Sequence, residues 1–227
     1  FTVLLLSTAA VINAQITEFP KLDGPYLGQK PPGMAPEIFA PGIVSSMEAT
    51  EYAVAFTPDG KQLYFNRNGI GGMVCTWSDT GWTKPIKAPF LEKFKGGAVH
   101  IMADGKRLLL NRYPGVHELK PGEQGGIWAL KKTEDSWDDP EFLIAWGMRA
   151  TSTLDGTIYT TDISGGPGTE CLAIIKKVNG EYVNLEKLGY PLDNEKLSMH
   201  PYISADESYI IFGATKPVKE INSVLFY

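Results

Sequence analysis

The chain of 227 residues has two cysteines, Cys75 and Cys171, and nowhere a block of like charges. Two cysteines allow one disulfide at most. Twenty-one basic residues against twenty-six acidic ones leave a net charge of −5 with no cationic stripe, so nucleic acid is not an expected partner. Long apolar runs are also missing. The one apolar run at the start, Phe1 to Leu6, is too short to span a membrane, and no transmembrane segment is expected. What the chain does have is 43% hydrophobic and 11% aromatic content, which fills a core and excludes disorder, with 24 glycines and 16 prolines scattered throughout. That spread fits many short strands joined by turns rather than long helices.

The apolar start is followed by small residues and then Ile12-Asn13-Ala14 before Gln15, the form of a signal-peptide h-region and cleavage site. Residues 1–14 therefore read as a signal peptide truncated at its start, since no Met or basic residue precedes the run. A lipoprotein anchor is not supported, because no Cys follows the small residues. Residues 15–35 read as an extended segment and 36–227 as the folded domain, placed in the periplasm or secreted.

Within that domain one pattern recurs four times: AVAFTPDGKQLYFNRN (53–68), AVHIMADGKRLLLNRY (98–113), RATSTLDGTIYTTDIS (149–164) and HPYISADESYIIFGAT (200–215). The turn aspartates Asp59, Asp104, Asp155 and Asp206 stand 45, 51 and 51 residues apart, the period of four-stranded propeller blades. Asp-Gly predicts a tight two-residue hairpin, with β-formers on both sides. A third strand is expected at 72–77, 126–130, 171–175 and 223–227. An aromatic turn at Trp82, Trp137 or Tyr182 and a fourth strand follow in the first three units. The fold class is thus all-β, a β-propeller of four-stranded antiparallel blades near 45–95, 96–146, 147–197 and 198–227. The fourth unit breaks off before its aromatic turn and fourth strand, and with about four blades present an incomplete ring is expected. Ala35–Pro41 echoes Lys84–Pro89 and is expected to complete the last blade. Cys75 and Cys171 each lie 16 residues after their turn aspartate, so they read as equivalent buried positions in separate blades, unable to form a disulfide.

Thr57-Pro58-Asp59-Gly60-Lys61 resembles the repeat of the TolB-like, WD-repeat-related β-propellers of exported bacterial proteins; Asp104-Gly105-Lys106, Asp155-Gly156 and Ser204-Ala205-Asp206 match it in part. The resemblance covers about residues 36–227. It implies a periplasmic or secreted binding or scaffolding protein, and some relatives are polysaccharide lyases with a metal held by histidines. No lyase motif is matched here.

Other motifs reduce to turns. Ser78–Trp82 is an Asp-box compressed by one residue twice, Gly165–Gly168 is a loop without the Lys-Ser/Thr of a phosphate site, and Asp135, Asp138 and Asp139 lack the further ligands calcium needs. No cofactor and no metal is expected. In a propeller the first strands line the axis. Counting back from each turn aspartate, odd offsets are apolar and even offsets small or polar, so the even set faces the channel. That set makes Glu51, His100, Arg149 and His200 the candidate ligand site, spread over roughly 13 Å along the axis at the usual rise per strand residue. It suits an extended anionic ligand. With no recognisable nucleophile, carboxylate pair or metal motif, a non-catalytic module binding a protein or carbohydrate at the propeller face is favoured. The alternative is a polysaccharide lyase or glycoside hydrolase using channel-facing His, Arg and Glu.

Overall fold

The computed structural model describes residues 22–31, 33–134, 136–189, 192, 197–215 and 224–226. The expected leader 1–14, Asp135 and most of the connector after Gly189 lie outside them. Sixteen strands among the described residues form four consecutive antiparallel sheets. The first holds β1 (Glu51–Phe56), β2 (Gln62–Arg67), β3 (Gly71–Ser78), β4 (Gly81–Trp82) and β5 (Ile86–Lys87). The second holds β6 (Gly97–Ile101), β7 (Arg107–Arg112), β8 (Gly126–Lys131) and β9 (Glu141–Ala145). The third holds β10 (Gly147–Ser152), β11 (Ile158–Asp162), β12 (Cys171–Val178) and β13 (Glu181–Lys187), and the fourth β14 (Leu197–Ile203), β15 (Ile210–Thr215) and β16 (Val224–Phe226). Each sheet runs outward in chain order from an inner first strand, and the inner strands of all four surround one cavity. This is a β-propeller of antiparallel blades.

The faces of neighbouring blades hold the core. Tyr64 and Val74 of the first blade pack with Val99, Leu108, Leu110 and Trp128 of the second. Met102, Leu109 and Ile127 of the second pack with Ala150, Ile158 and Ile175 of the third. Burying such apolar faces at about 25 cal/mol per Å² is the main force joining one blade to the next.

Two features of the first blade depart from the expected pattern. Its outer strand is broken. Trp82 pairs with Trp77, while Ile86 and Lys87 pair with Val74 and Met73, and Pro85, with no N–H to donate, falls between. After it comes a helix that the turn-rich composition hides, α1 (Pro89–Phe94), opened by a proline and burying Phe90, Leu91 and Phe94 between blades one and two. The N-terminal segment also differs. Ala35–Pro41 forms no pairing with β16. Ala40, Val44 and Leu27 instead cover Leu63, Phe65 and Met73 on the outer face of the first blade. A segment with three prolines in its 31–36 stretch leaves few N–H donors for a ladder, whereas its apolar side chains can cap a face.

The turns are also longer than a two-residue hairpin. Thr57 N–H donates to the Gln62 carbonyl and Gly60 N–H to the Thr57 carbonyl, so residues 58–61 make the connection. A two-residue type I′ turn needs positive φ at both central residues, but here only the residue after the aspartate has it: Gly60 (68°), Gly105 (69°), Gly156 (89°) and Glu207 (59°). The aspartate carboxylate instead accepts the N–H two residues on, from Lys61, Lys106, Thr157 and Ser208. Glu207 thus holds a left-handed conformation that glycine adopts freely in the other blades. Glu207→Gly is expected to stabilise the protein by about 0.5–1 kcal/mol, less whatever its exposed bond with Tyr159 contributes. A lowered midpoint in urea would show that the bond matters more than the backbone.

Candidate functional site

All four inner strands carry the same irregularity. Ala53-Val54 oppose the single residue Phe65, Ala98-Val99 oppose Leu110, Arg149-Ala150 oppose Thr160, and His200-Pro201 oppose Phe212. Each is a β-bulge. Its first residue has positive φ, 54° at Ala53, 52° at Ala98, 55° at Arg149 and 56° at His200. A non-glycine residue there costs about 1–2 kcal/mol, so something must hold it. In three blades the holder comes from the blade before. Asn66 Oδ1 accepts the Ala98 N–H at 2.9 Å, Asn111 Oδ1 the Arg149 N–H at 2.7 Å and Thr161 Oγ1 the His200 N–H at 2.8 Å. Asn66, Asn111 and Thr161 are themselves buried, at equivalent places on the second strands.

The bulges aim side chains at a cavity of about 480 Å³ lined by all four inner strands. Its polar side chains are His100, Arg149, Thr151, Ser152, His200 and Tyr202, and its lining includes no Asp or Glu. Of the four residues picked by parity, the structure brings His100, Arg149 and His200 together here. Arg149 and His200 occupy equivalent bulge positions.

Glu51 lies elsewhere. Its carboxylate accepts from the N–H and hydroxyl of Ser46 and from Arg67 Nε at 2.9 Å, and Arg67 also donates to the carbonyls of Ile43 and Val44. Burial alone would raise the Glu51 pKa, but these bonds outweigh it and lower it. The bulge explains the displacement. It inserts one residue between Glu51 and the turn, so strict alternation counted from the turn fails beyond offset six. Glu51 therefore clamps the N-terminal segment to the first blade.

The Arg149 guanidinium stands 4.9 Å from the centroid of the Tyr52 ring, a cation–π contact between the third blade and the first. Burial lowers its pKa and Tyr52 partly opposes that. It makes no salt bridge among the described residues. His100 Nε2 is 3.2 Å from Ser152 Oγ, which also accepts the Ala103 N–H, and burial lowers the His100 pKa to about 4. His200 has an accessible face, yet the channel wall displaces enough water that burial first, and the charge of Arg149 second, lower its pKa to about 4. Both imidazoles are therefore neutral at pH 7. Thr151 Oγ1 accepts the Ile203 N–H at 3.2 Å and donates to the Pro201 carbonyl at 3.3 Å, tying β10 to β14. At the mouth Tyr202, 49% exposed, lies 6.3 Å from Tyr209, 52% exposed.

Among the described residues no group of three or more His, Cys, Asp or Glu could hold a metal ion. Asp139 is paired with Lys93 of helix α1, and Asp138 accepts the Lys131 N–H across the turn that follows β8. Ser78 and Gly81 pair as an ordinary hairpin. No helix among the described residues is long and apolar enough to cross a membrane.

No family model matches the chain, and no curated protein matches it. Solved structures do. The chain is similar to TolB from Acinetobacter baumannii, at 16% identity and a TM-score of 0.53, over 80% of this chain and 42% of that one. Its fold is that of a TolB-like β-propeller. The chain thus spans about two fifths of that TolB. Two further structures align at lower scores: a protein described as a TolB of Agrobacterium tumefaciens (14% identity, TM-score 0.41, 78% of this chain and 74% of that) and one described as a 6-phosphogluconolactonase of Bacteroides fragilis (17%, 0.43, 78% and 53%).

Proposed function

We propose that this propeller is a binding module of the cell envelope or exterior, whose axial cavity takes the acidic group of a carbohydrate ligand. One observation carries the reading: Arg149 is a partly buried cation in a cavity whose lining supplies no carboxylate to pair with it. A buried charge favours an opposite charge brought by a ligand, and a guanidinium fork fits a carboxylate in two bonds. The neutral imidazoles of His100 and His200 and the Ser152 hydroxyl can bond sugar hydroxyls, and Tyr202 and Tyr209 offer ring faces at the mouth. Export rests on the signal-like pattern of residues 1–14.

The test is titration calorimetry with glucuronate against the full chain. Arg149→Ala is expected to weaken binding about tenfold to a hundredfold, and Arg149→Lys to restore part of it. A bound carboxylate would neutralise the field of Arg149 and raise the His200 pKa. Binding should therefore take up protons and strengthen as pH falls from 6.5 toward 4. Glucuronate heats that are unchanged in Arg149→Ala would refute the reading.

A second reading follows from the same pair of groups. A neutral His200 beside a cation that neutralises a uronate carboxylate is the arrangement needed to remove the proton next to that carboxylate, as in a lyase. Its test is the ultraviolet absorbance of an unsaturated uronate product, lost in His200→Gln.

A further inference from the structure

No run of the sequence is cationic, but the fold builds a cationic groove of about 570 Å³ on the turn face between the second and third blades. Lys106 precedes β7 and Arg107 opens it, Lys131 closes β8 and Lys132 follows it, and Lys177 comes from β12 of the next blade. Arg107 lies directly opposite Lys131 in the ladder, and the Lys132 N–H donates to the Lys106 carbonyl, so four cations stand on two adjacent strand ends. Like charges placed opposite one another in a sheet cost stability. Only Lys131 has a direct ion pair among the described residues, with Glu141 at 2.8 Å; Arg107, Lys132 and Lys177 feel Glu141, Asp59 and Asp155 at longer range only. Asp104 borders the groove, but its carboxylate holds the Lys106 N–H in the turn. One turn separates the groove from the axial cavity: Ala103 lines the cavity and Asp104, its chain neighbour, lines the groove.

We propose that this groove is a second docking surface for a linear acidic oligosaccharide, whose terminal acid group occupies the axial cavity while the following units cross the Asp104–Gly105 turn. The proposal rests on the acidic-ligand reading of the cavity. Flexible lysine ammonium groups suit repeated, spaced carboxylates as point charges. A nucleic acid strand fits less well, because none of the residues that line the groove is aromatic and the ring that Lys177 reaches, Tyr182, is covered by it at 5.1 Å, which leaves no stacking platform.

The experiment compares glucuronate with a linear uronate hexamer by calorimetry on the full chain, for the wild type, a Lys132→Glu, Lys177→Glu double variant and Arg149→Ala. The hexamer is expected to bind about tenfold or more tighter than the monomer, with a steeper salt dependence. The double variant should lose that gain and leave monomer affinity unchanged. Equal affinity for monomer and hexamer, or an undiminished gain in the double variant, overturns the groove. Unchanged monomer binding in Arg149→Ala overturns the cavity reading instead. If neither probe binds, both fall. Displacement of the hexamer at equal affinity by a single-stranded oligonucleotide of the same charge would assign the groove to nucleic acid and overturn the proposal.

Discussion

Asn111→Ala is expected to lower stability by about 3 kcal/mol and to weaken ligand binding in the cavity as well. The Asn111 side chain is 4% exposed and carries two bonds between blades: Oδ1 accepts the Arg149 N–H at 2.7 Å and Nδ2 donates to the Gly147 carbonyl at 3.1 Å. Truncation leaves the Arg149 N–H without its acceptor in a left-handed residue that already carries strain. Each unsatisfied buried group costs about 1–3 kcal/mol. The Gly147 carbonyl keeps the Tyr113 hydroxyl, so most of the loss falls on the bulge that aims Arg149. The natural control is Asn66→Ala. It removes the same kind of bond from Ala98, whose side chain can recognise nothing. Both variants should lose stability in urea, but only Asn111→Ala should lose glucuronate affinity when measured at a temperature where both are folded. Asn111→Asp keeps the acceptor and should recover the affinity more than the stability. Equal affinity losses in Asn66→Ala and Asn111→Ala would show that Asn111 is structural and does not position Arg149.

These asparagines were visible in the chain before their role was. The two most similar copies, FTPDGKQLYFN and IMADGKRLLLN, both end in the asparagine that later serves the next blade, Asn66 and Asn111. Spacing announces that such a residue recurs. It does not announce that its partner is a backbone N–H some 35 residues onward, because that partner exists only once a bulge turns the N–H sideways. Alanine at a positive φ leaves no mark in a sequence, unlike glycine, so the bulge at Ala53 and Ala98 was illegible and with it the fate of Glu51. Period-two counting from the turn worked as far as the bulge and failed past it.

The cysteines show a related limit. Their equal spacing from Asp59 and Asp155 suggested equivalent positions, but Cys75 pairs with Leu63 in mid-strand and Cys171 with Asp162 at the start of its strand. A longer β11–β12 loop and a shorter turn in the third blade shift the register, so equal counts mark different places. The conclusion drawn from them stands for a simpler reason. Both thiols are buried in separate sheets with the second blade between, and they form no disulfide; burial raises the Cys75 pKa to about 11, which leaves it inert. The cationic groove was hidden in the same way, since its charges come from three segments that the sheets alone bring together.

Gly126→Ala is expected to have the largest effect of any single substitution considered, a loss of more than about 4 kcal/mol. Gly126 opens β8 and is paired on both sides, with Arg112 in β7 and Ala145 in β9. Its φ of 151° is one that side chains rarely adopt, and a Cβ added there would stand 2.1 Å from the Ile144 carbonyl oxygen and 2.9 Å from the Ala145 Cα. The clash is with backbone held in the ladder, so no rotamer change relieves it. Strand β9 would have to leave its partner, exposing Ile127 and Ile144, which pack in the core between the second and third blades. Gly115→Ala separates the two costs. Gly115 also has positive φ, 78°, but its added Cβ would meet nothing within 4 Å, so only the backbone strain of about 1 kcal/mol should appear. Since domains of this kind are stable by about 5–15 kcal/mol in total, Gly126→Ala should move the urea midpoint far down or leave no folded protein, while Gly115→Ala shifts it modestly. A Gly126→Ala midpoint no lower than that of Gly115→Ala would mean that β9 yields without cost, and that the pairing of β8 with β9 does not hold the second blade together.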